Sequence, residues 1–193
     1  MRDMKCTCVM VVSAGALLCA GTEPPIPVPP SEHPRLYLRA SNVAELEARL
    51  RDPVLRLTVE KMRVAAEKSA QMKVEWDALH FLMTKDRRLG RATVEAALAF
   101  LKECKLPDKH DACRVTGRAM VTGAIIYDWL NPLLTVEEKR AFVAELIRLA
   151  KTQECGYPPT GGGSVTGHAS EAMIMRDMLS AGIAIYDEFP ELY

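Results

Sequence analysis

The sequence predicts an all-α fold, and three observations carry that reading. Apolar residues recur at helical spacing from about residue 41 to the end of the chain. The apolar share is 49% but aromatics are only 6%, so alanine, methionine and the aliphatic residues dominate, a mixture that suits packed helices better than a β-sandwich. The breaks between periodic segments are helix punctuation, such as Asp52-Pro53 and Asn131-Pro132, rather than hairpin turns. With 193 residues the chain fits one domain and is long enough to bury a core.

Residues 1–21 read as an export signal. Arg2 and Lys5 precede the apolar, small-residue-rich stretch 8–20, which is too short for a stable membrane anchor. Cleavage after Gly21 makes the product periplasmic or secreted. A lipoprotein reading through Cys19 is the weaker alternative, because Leu18 stands where a small residue is usual. Residues 22–34 are proline-rich and read as a stiff, extended linker, leaving 35–193 as the domain. His33 is then an ordinary linker residue.

Helical patterning begins at Ser41, where Asn42 and Glu45 have capping-box spacing. Residues 54–83 carry one or two helices, and Lys85-Asp86-Arg87 is a turn. Residues 89–104 form an amphipathic helix with Val94, Ala97, Leu98 and Leu101 on one face. Residues 106–111 are a loop. Residues 112–130 are almost wholly apolar after Arg118, which predicts a deeply buried helix. Thr135 and Glu138 form another capping box, for a helix to about Lys151. A loop over 155–166 leads to a last helix from near His168 to Asp187. A loop of that length in a compact domain is often functional.

Charge and cysteines narrow the function. Twenty-five basic and 25 acidic side chains cancel, so no global field exists to gather nucleic acid, and a polyanion would need a local basic cluster. Without residues 1–21, Cys104, Cys113 and Cys155 remain, an odd number that is no disulfide framework. Cys104 could pair with Cys113, and Cys155 reads as a buried thiol. No zinc-ligand spacing is present. Ser170 lacks a nucleophile elbow, and Cys155 with His168 lacks a third orienting residue.

The segment richest in chemistry is Gly167-His168-Ala169-Ser170-Glu171, entered from Pro158-Pro159-Thr160-Gly161-Gly162-Gly163. On a helix His168 and Glu171 share a face. That joins a group titrating near neutrality to a carboxyl that could share a proton with an anionic substrate. Arg114, at the start of the buried helix, could grip a sulfate or carboxylate bidentately, or form a salt bridge to Asp111 or Asp128. Other polar residues have plainer uses: Arg176-Asp177 as an internal ion pair, His80 in the core, Tyr157 in packing, and Met173, Met175 and Met178 as core filler.

Several stretches together resemble one family. They are Val121-Thr122-Gly123-Ala124-Ile125-Ile126-Tyr127-Asp128-Trp129, Glu154-Cys155-Gly156-Tyr157-Pro158-Pro159, and Gly167-His168-Ala169-Ser170-Glu171 running through Met173-Ile174-Met175-Arg176-Asp177 to Ile185-Tyr186-Asp187-Glu188-Phe189-Pro190-Glu191. His33-Pro34-Arg35-Leu36-Tyr37-Leu38-Arg39 and Leu82-Met83-Thr84-Lys85-Asp86 fit as well. From about Pro25 onward the chain resembles the N-terminal part of the heparinase II/III-like polysaccharide lyases, which degrade heparin and heparan sulfate. The resemblance implies an incomplete α/α toroid of antiparallel helical hairpins and β-elimination on a uronate-containing glycosaminoglycan. His168 and Glu171 match catalytic-site residues and Arg114 matches a family arginine. It also implies that the family's catalytic tyrosine, second histidine, zinc ligands and β-sandwich domains belong to sequence beyond Tyr193. The chain itself would then bind no cofactor and be a fragment inactive alone. Its expected partner is an acidic polysaccharide, with no nucleic acid, no membrane span, and a homodimer by family. Two alternatives stay open: a non-catalytic glycan-binding helical module, and a lyase for another uronan such as alginate.

Overall fold

The computed structural model describes residues 25–105, 113–159 and 170–193, with backbone only for Cys113, Ser170 and Glu171. Among these residues every regular element is a helix. Two short helices, α1 (Ala40–Val43) and α2 (Leu46–Leu50), are followed by α3 (Arg56–Lys68), α4 (Ala70–Thr84), α5 (Arg87–Glu103), α6 (Arg118–Trp129), α7 (Val136–Ala150) and α8 (Ser170–Ala184). A π-turn, Cys113–Gly117, leads into α6, and 3-10 turns occupy Asn131–Leu133 and Pro190–Leu192.

Cross-helix hydrogen bonds give the direction of each helix. Gln71 and Glu75 near the start of α4 each bond both Arg118 and Thr122 near the start of α6, while Phe81 and Leu82 near the end of α4 share a cavity wall with Trp129 at the end of α6, so α4 and α6 run parallel. Asp177 lies against Gly117 at one end of α6, while Arg35 joins Asp128 at the other end to Ala184. Therefore α8 runs parallel to α6. Likewise Arg91 bonds Glu138 near the starts of α5 and α7, and Arg148 bonds the Leu101 carbonyl near their ends. The result is two layers: α4, α6 and α8 point one way, and α5 and α7 return between them.

The middle of this arrangement is α6. All ten residues from Ala119 to Asp128 are buried, which follows from an apolar sequence on every side of the helix. Gly123 lets neighbours approach, since a Cβ there would lie 3.0 Å from Leu101 and 3.1 Å from Leu146. On the outer layer α5 and α7 are amphipathic, burying Val94, Ala97 and Leu101 from one and Phe142, Leu146 and Leu149 from the other. The predicted capping box at Thr135 forms in full, with both Thr135 and Glu138 engaged. That at Asn42 does not: α1 starts at Ala40, after Arg39, with no side-chain cap.

The proline-rich stretch is more than a linker where it meets the helices. His33 Nδ1–H donates to Asp128 Oδ1 at 2.6 Å. The Arg35 and Leu36 amides donate to Asp128 Oδ2 at 2.9 and 2.8 Å. Trp129 Nε1–H donates to the Leu36 carbonyl at 3.0 Å. The buried Arg35 guanidinium reaches the Ala184 carbonyl at 2.9 Å and Asp187 at 3.1 Å. Neighbouring Tyr127 donates to Glu188, which also pairs with Lys139. Residues 33–36 therefore fasten the ends of α6 and α8 together. His33 is a partner of a buried carboxylate, and Asp128 is committed to it rather than to Arg114.

Three smaller expectations also change. Cys104 is a free thiol, so it does not bridge to Cys113. His80 is half-buried and packs against Trp76, with ring centroids 4.6 Å apart. Met175 faces out, 58% exposed, rather than filling the core.

Asp128→Asn places an amide donor against backbone donors, and we expect a loss of about 2–4 kcal/mol in chemical denaturation. A second test uses pH. The Arg91 hydrogen bond holds the Glu138 carboxyl well down, opposed by burial, at about 2 against an ordinary 4.5. A carboxyl lowered on folding stabilises above its unfolded pKa and loses that contribution as pH falls toward the folded one. Glu138→Gln should flatten the acid limb of the stability curve between about pH 4.5 and 2 and lower stability at neutral pH, with an unchanged acid limb counting against this assignment.

Candidate functional site

The starts of α6 and α8 lie at the same end of the parallel layer, together with the end of α7. Helix starts carry the positive end of the backbone dipole and suit anions. Arg114 is in the π-turn that opens α6 and is exposed. Glu171 falls in the first turn of α8, and its side chain lies outside what the structure describes. His168 lies outside the described residues altogether, as does most of the glycine loop.

This end is braced from beneath by polar side chains. Thr116, buried in the π-turn, accepts from Gln153 Nε2 at 2.9 Å and lies 3.1 Å from Thr152 Oγ1. The last turn of α7 is thereby tied to the approach to α6. Across from it Asp177 of α8 is fully buried, with Oδ1 accepting from Arg176 Nε at 2.7 Å. Its other oxygen, Oδ2, and Gln153 Oε1 are buried without a hydrogen-bond partner among the described residues. Both oxygens face the Cα of Gly117, where an added Cβ would collide with the Asp177 carboxylate. Gly117 is needed for that close approach. Burial pushes the Asp177 carboxyl above its ordinary value, opposed by Arg176.

The predicted Arg176-Asp177 ion pair is thus present, and it serves as part of this support. Arg118 is engaged by Glu75 at 2.7 Å on the α4 side. Beyond α7, Gly156 adopts φ 69° and the Tyr157-Pro158 bond is cis, turning the chain so that Tyr157 packs edge-on against Phe189 at 6.2 Å. That is the packing role expected for Tyr157. Cys155 is half-buried, and burial raises its thiol pKa, which argues against a reactive thiolate there.

The sequence singled out Arg114 and Glu171, and their backbone positions fall at one end of the layer. It missed the support formed by Thr116, Gln153, Gly117 and Asp177. The available signals were a charged pair in an apolar helix and a glycine just before a buried run. Among the described residues no group of three or more His, Cys, Asp or Glu side chains gathers to hold a metal ion. Nor is any helix among them long and apolar enough to cross a membrane. Comparison with known proteins finds no matching family model and no matching curated protein.

The raised Asp177 pKa makes a signed prediction. A carboxyl raised on folding favours the folded state at low pH, and that advantage is lost as pH rises from the unfolded value of 3.8 through the folded one. Asp177→Asn should remove this fall. Stability at pH 7 should hold or rise relative to wild type while stability near pH 3 does not, as read from urea midpoints across pH. A variant that loses stability equally at all pH values would refute the assignment.

Proposed function

We propose that this chain is the helical N-terminal part of a polysaccharide lyase that cleaves uronate-containing glycosaminoglycan, heparin or heparan sulfate, by β-elimination. The observation that carries the reading is the shared end of α6 and α8: Arg114 on the π-turn and Glu171 in the first turn of α8, both at positively polarised helix starts. The two-layer arrangement of hairpins supports the finer architecture, an incomplete α/α toroid, because parallel inner helices alternating with returning outer ones are the repeating unit of such a ring. The family resemblance supplies the substrate class, and the leader supplies export to the periplasm or medium.

A uronate lyase removes the proton at C5 and expels the glycosidic oxygen at C4. The substrate carboxylate opposes carbanion formation until its charge is neutralised. Glu171, protonated beside that carboxylate, shares its hydrogen with it, and the adjacent anion keeps the Glu171 proton on. Arg114 anchors the carboxylate or a sulfate through its planar fork. His168 either donates to the carboxylate or takes the C5 proton for one epimer. Burial of Asp177, Gln153 and Thr116 steadies the approach to α6 that carries Arg114 and the helix α8 on which Glu171 falls.

In the natural polypeptide carrying these residues, Glu171→Gln should lower kcat by roughly 10²–10⁴-fold with little change in KM. The assay follows ultraviolet absorbance of the unsaturated product from heparan sulfate, with alginate in parallel. Unchanged turnover removes Glu171 from the chemistry. Retained glycan binding with no unsaturated product from either substrate favours a binding module instead.

A further inference from the structure

We infer that a second site, at the far end of α6, binds an acidic sugar residue. A cavity of about 400 Å³ lies there, with His33, Phe81, Lys85, Arg87, Trp129 and Pro132 among its walls. Its size is that of a small-molecule site. Its chemistry is asymmetric: Lys85 and Arg87 line it, and among the described residues no carboxylate does. Among the described residues neither cation is in an ion pair. Lys85 is held over the Phe81 ring, 5.9 Å from its centroid.

The walls are preorganised. Trp129 is oriented by its hydrogen bond to the Leu36 carbonyl, and His33 by Asp128. Asp86, the nearest acid in sequence, is turned to the start of α5, where it accepts from the Arg88 and Leu89 amides. Lys85 adopts φ 57° to end α4. A non-glycine residue in that left-handed region is uncommon, and such positions gather at functional sites.

Two cations lining one cavity with a half-buried indole and apolar walls fit a ligand with an anionic group on a ring that has an apolar face. A carboxylate-bearing pyranose has both. The choice of a uronate rests on the lyase reading, whereas the preference for a ring-borne anion comes from the cavity itself. The site is distinct from that of Arg114 and Glu171. The 12 residues of α6 separate them by roughly 18 Å at 1.5 Å per residue. A glycan held here is tethered away from the reacting bond.

The test is a fluorescence titration of the full chain with a uronate-containing heparan sulfate disaccharide. The chain has two tryptophans, so Trp76→Phe leaves Trp129 as the sole reporter. We expect saturable binding that K85N/R87Q weakens roughly 30-fold, by the loss of two charge-assisted contacts. Asparagine tolerates the left-handed backbone at position 85. Affinity unchanged in K85N/R87Q, or absence of binding, overturns the proposal. Should the double variant not fold, the Trp129 indole N–H resonance of the wild-type chain decides. Its shift on titration supports the site, and shifts confined to residues 114–117 overturn it. Absence of unsaturated product from the natural polypeptide would overturn the lyase reading without altering either result.

Discussion

The structure depends most on the buried carboxylate of Asp128. It has no solvent exposure and accepts from His33 Nδ1 and from the Arg35 and Leu36 amides. A buried charge is tolerable only when its lone pairs are filled this fully. Because the donors come from a segment more than ninety residues away, the same bonds that satisfy the charge fix the path of the chain before α1. That path carries Arg35 to the end of α8, where its cation meets the Ala184 carbonyl and the negative end of the helix dipole. One carboxylate therefore sets the relation of the N-terminal segment, α6 and α8.

The consequence is a division of labour along α6. Its C-terminal end is locked by Asp128, Trp129 and Tyr127, each with a polar partner from another part of the chain. Its N-terminal end is held from below by Thr116 and by the Gly117–Asp177 approach, leaving Arg114 exposed. A rigid scaffold that presents loops and helix starts is the usual way to place chemistry with precision. Asp177 Oδ2 and Gln153 Oε1, without a hydrogen-bond partner among the described residues, mark where stability is conceded for close packing at this end of α6.

Local signals were legible in the sequence and distant ones were not. Thr135 and Glu138 are three residues apart, and their capping box forms as read. The apolar run after Arg118 becomes the buried α6 because hydrophobicity on all sides leaves a helix no solvent face. Asn42 and Glu45 had the same spacing as a true box, yet the chain entered α1 earlier, its path set by Tyr37 and its neighbours docking on α8. His33 read as a linker residue because its partner is 95 positions away, beyond the reach of any periodicity. Asp177 read only as half of an ion pair because Gly117, 60 residues earlier, defines its other side. Glu171 and His168 were singled out through their pairing and the resemblance, and their role belongs to the proposal. Arg114 was placed the same way, and its position beside the start of α6 gives it a physical reason.

The most direct test of this account is hydrogen exchange at the Arg35 and Leu36 amides. If Asp128 fastens this segment to α6 and α8, both amides exchange only through global unfolding, with protection equal to that of the α6 core. Exchange at the rate of an open loop, while α6 stays protected, would show that the segment is not locked and that the architecture must be anchored elsewhere.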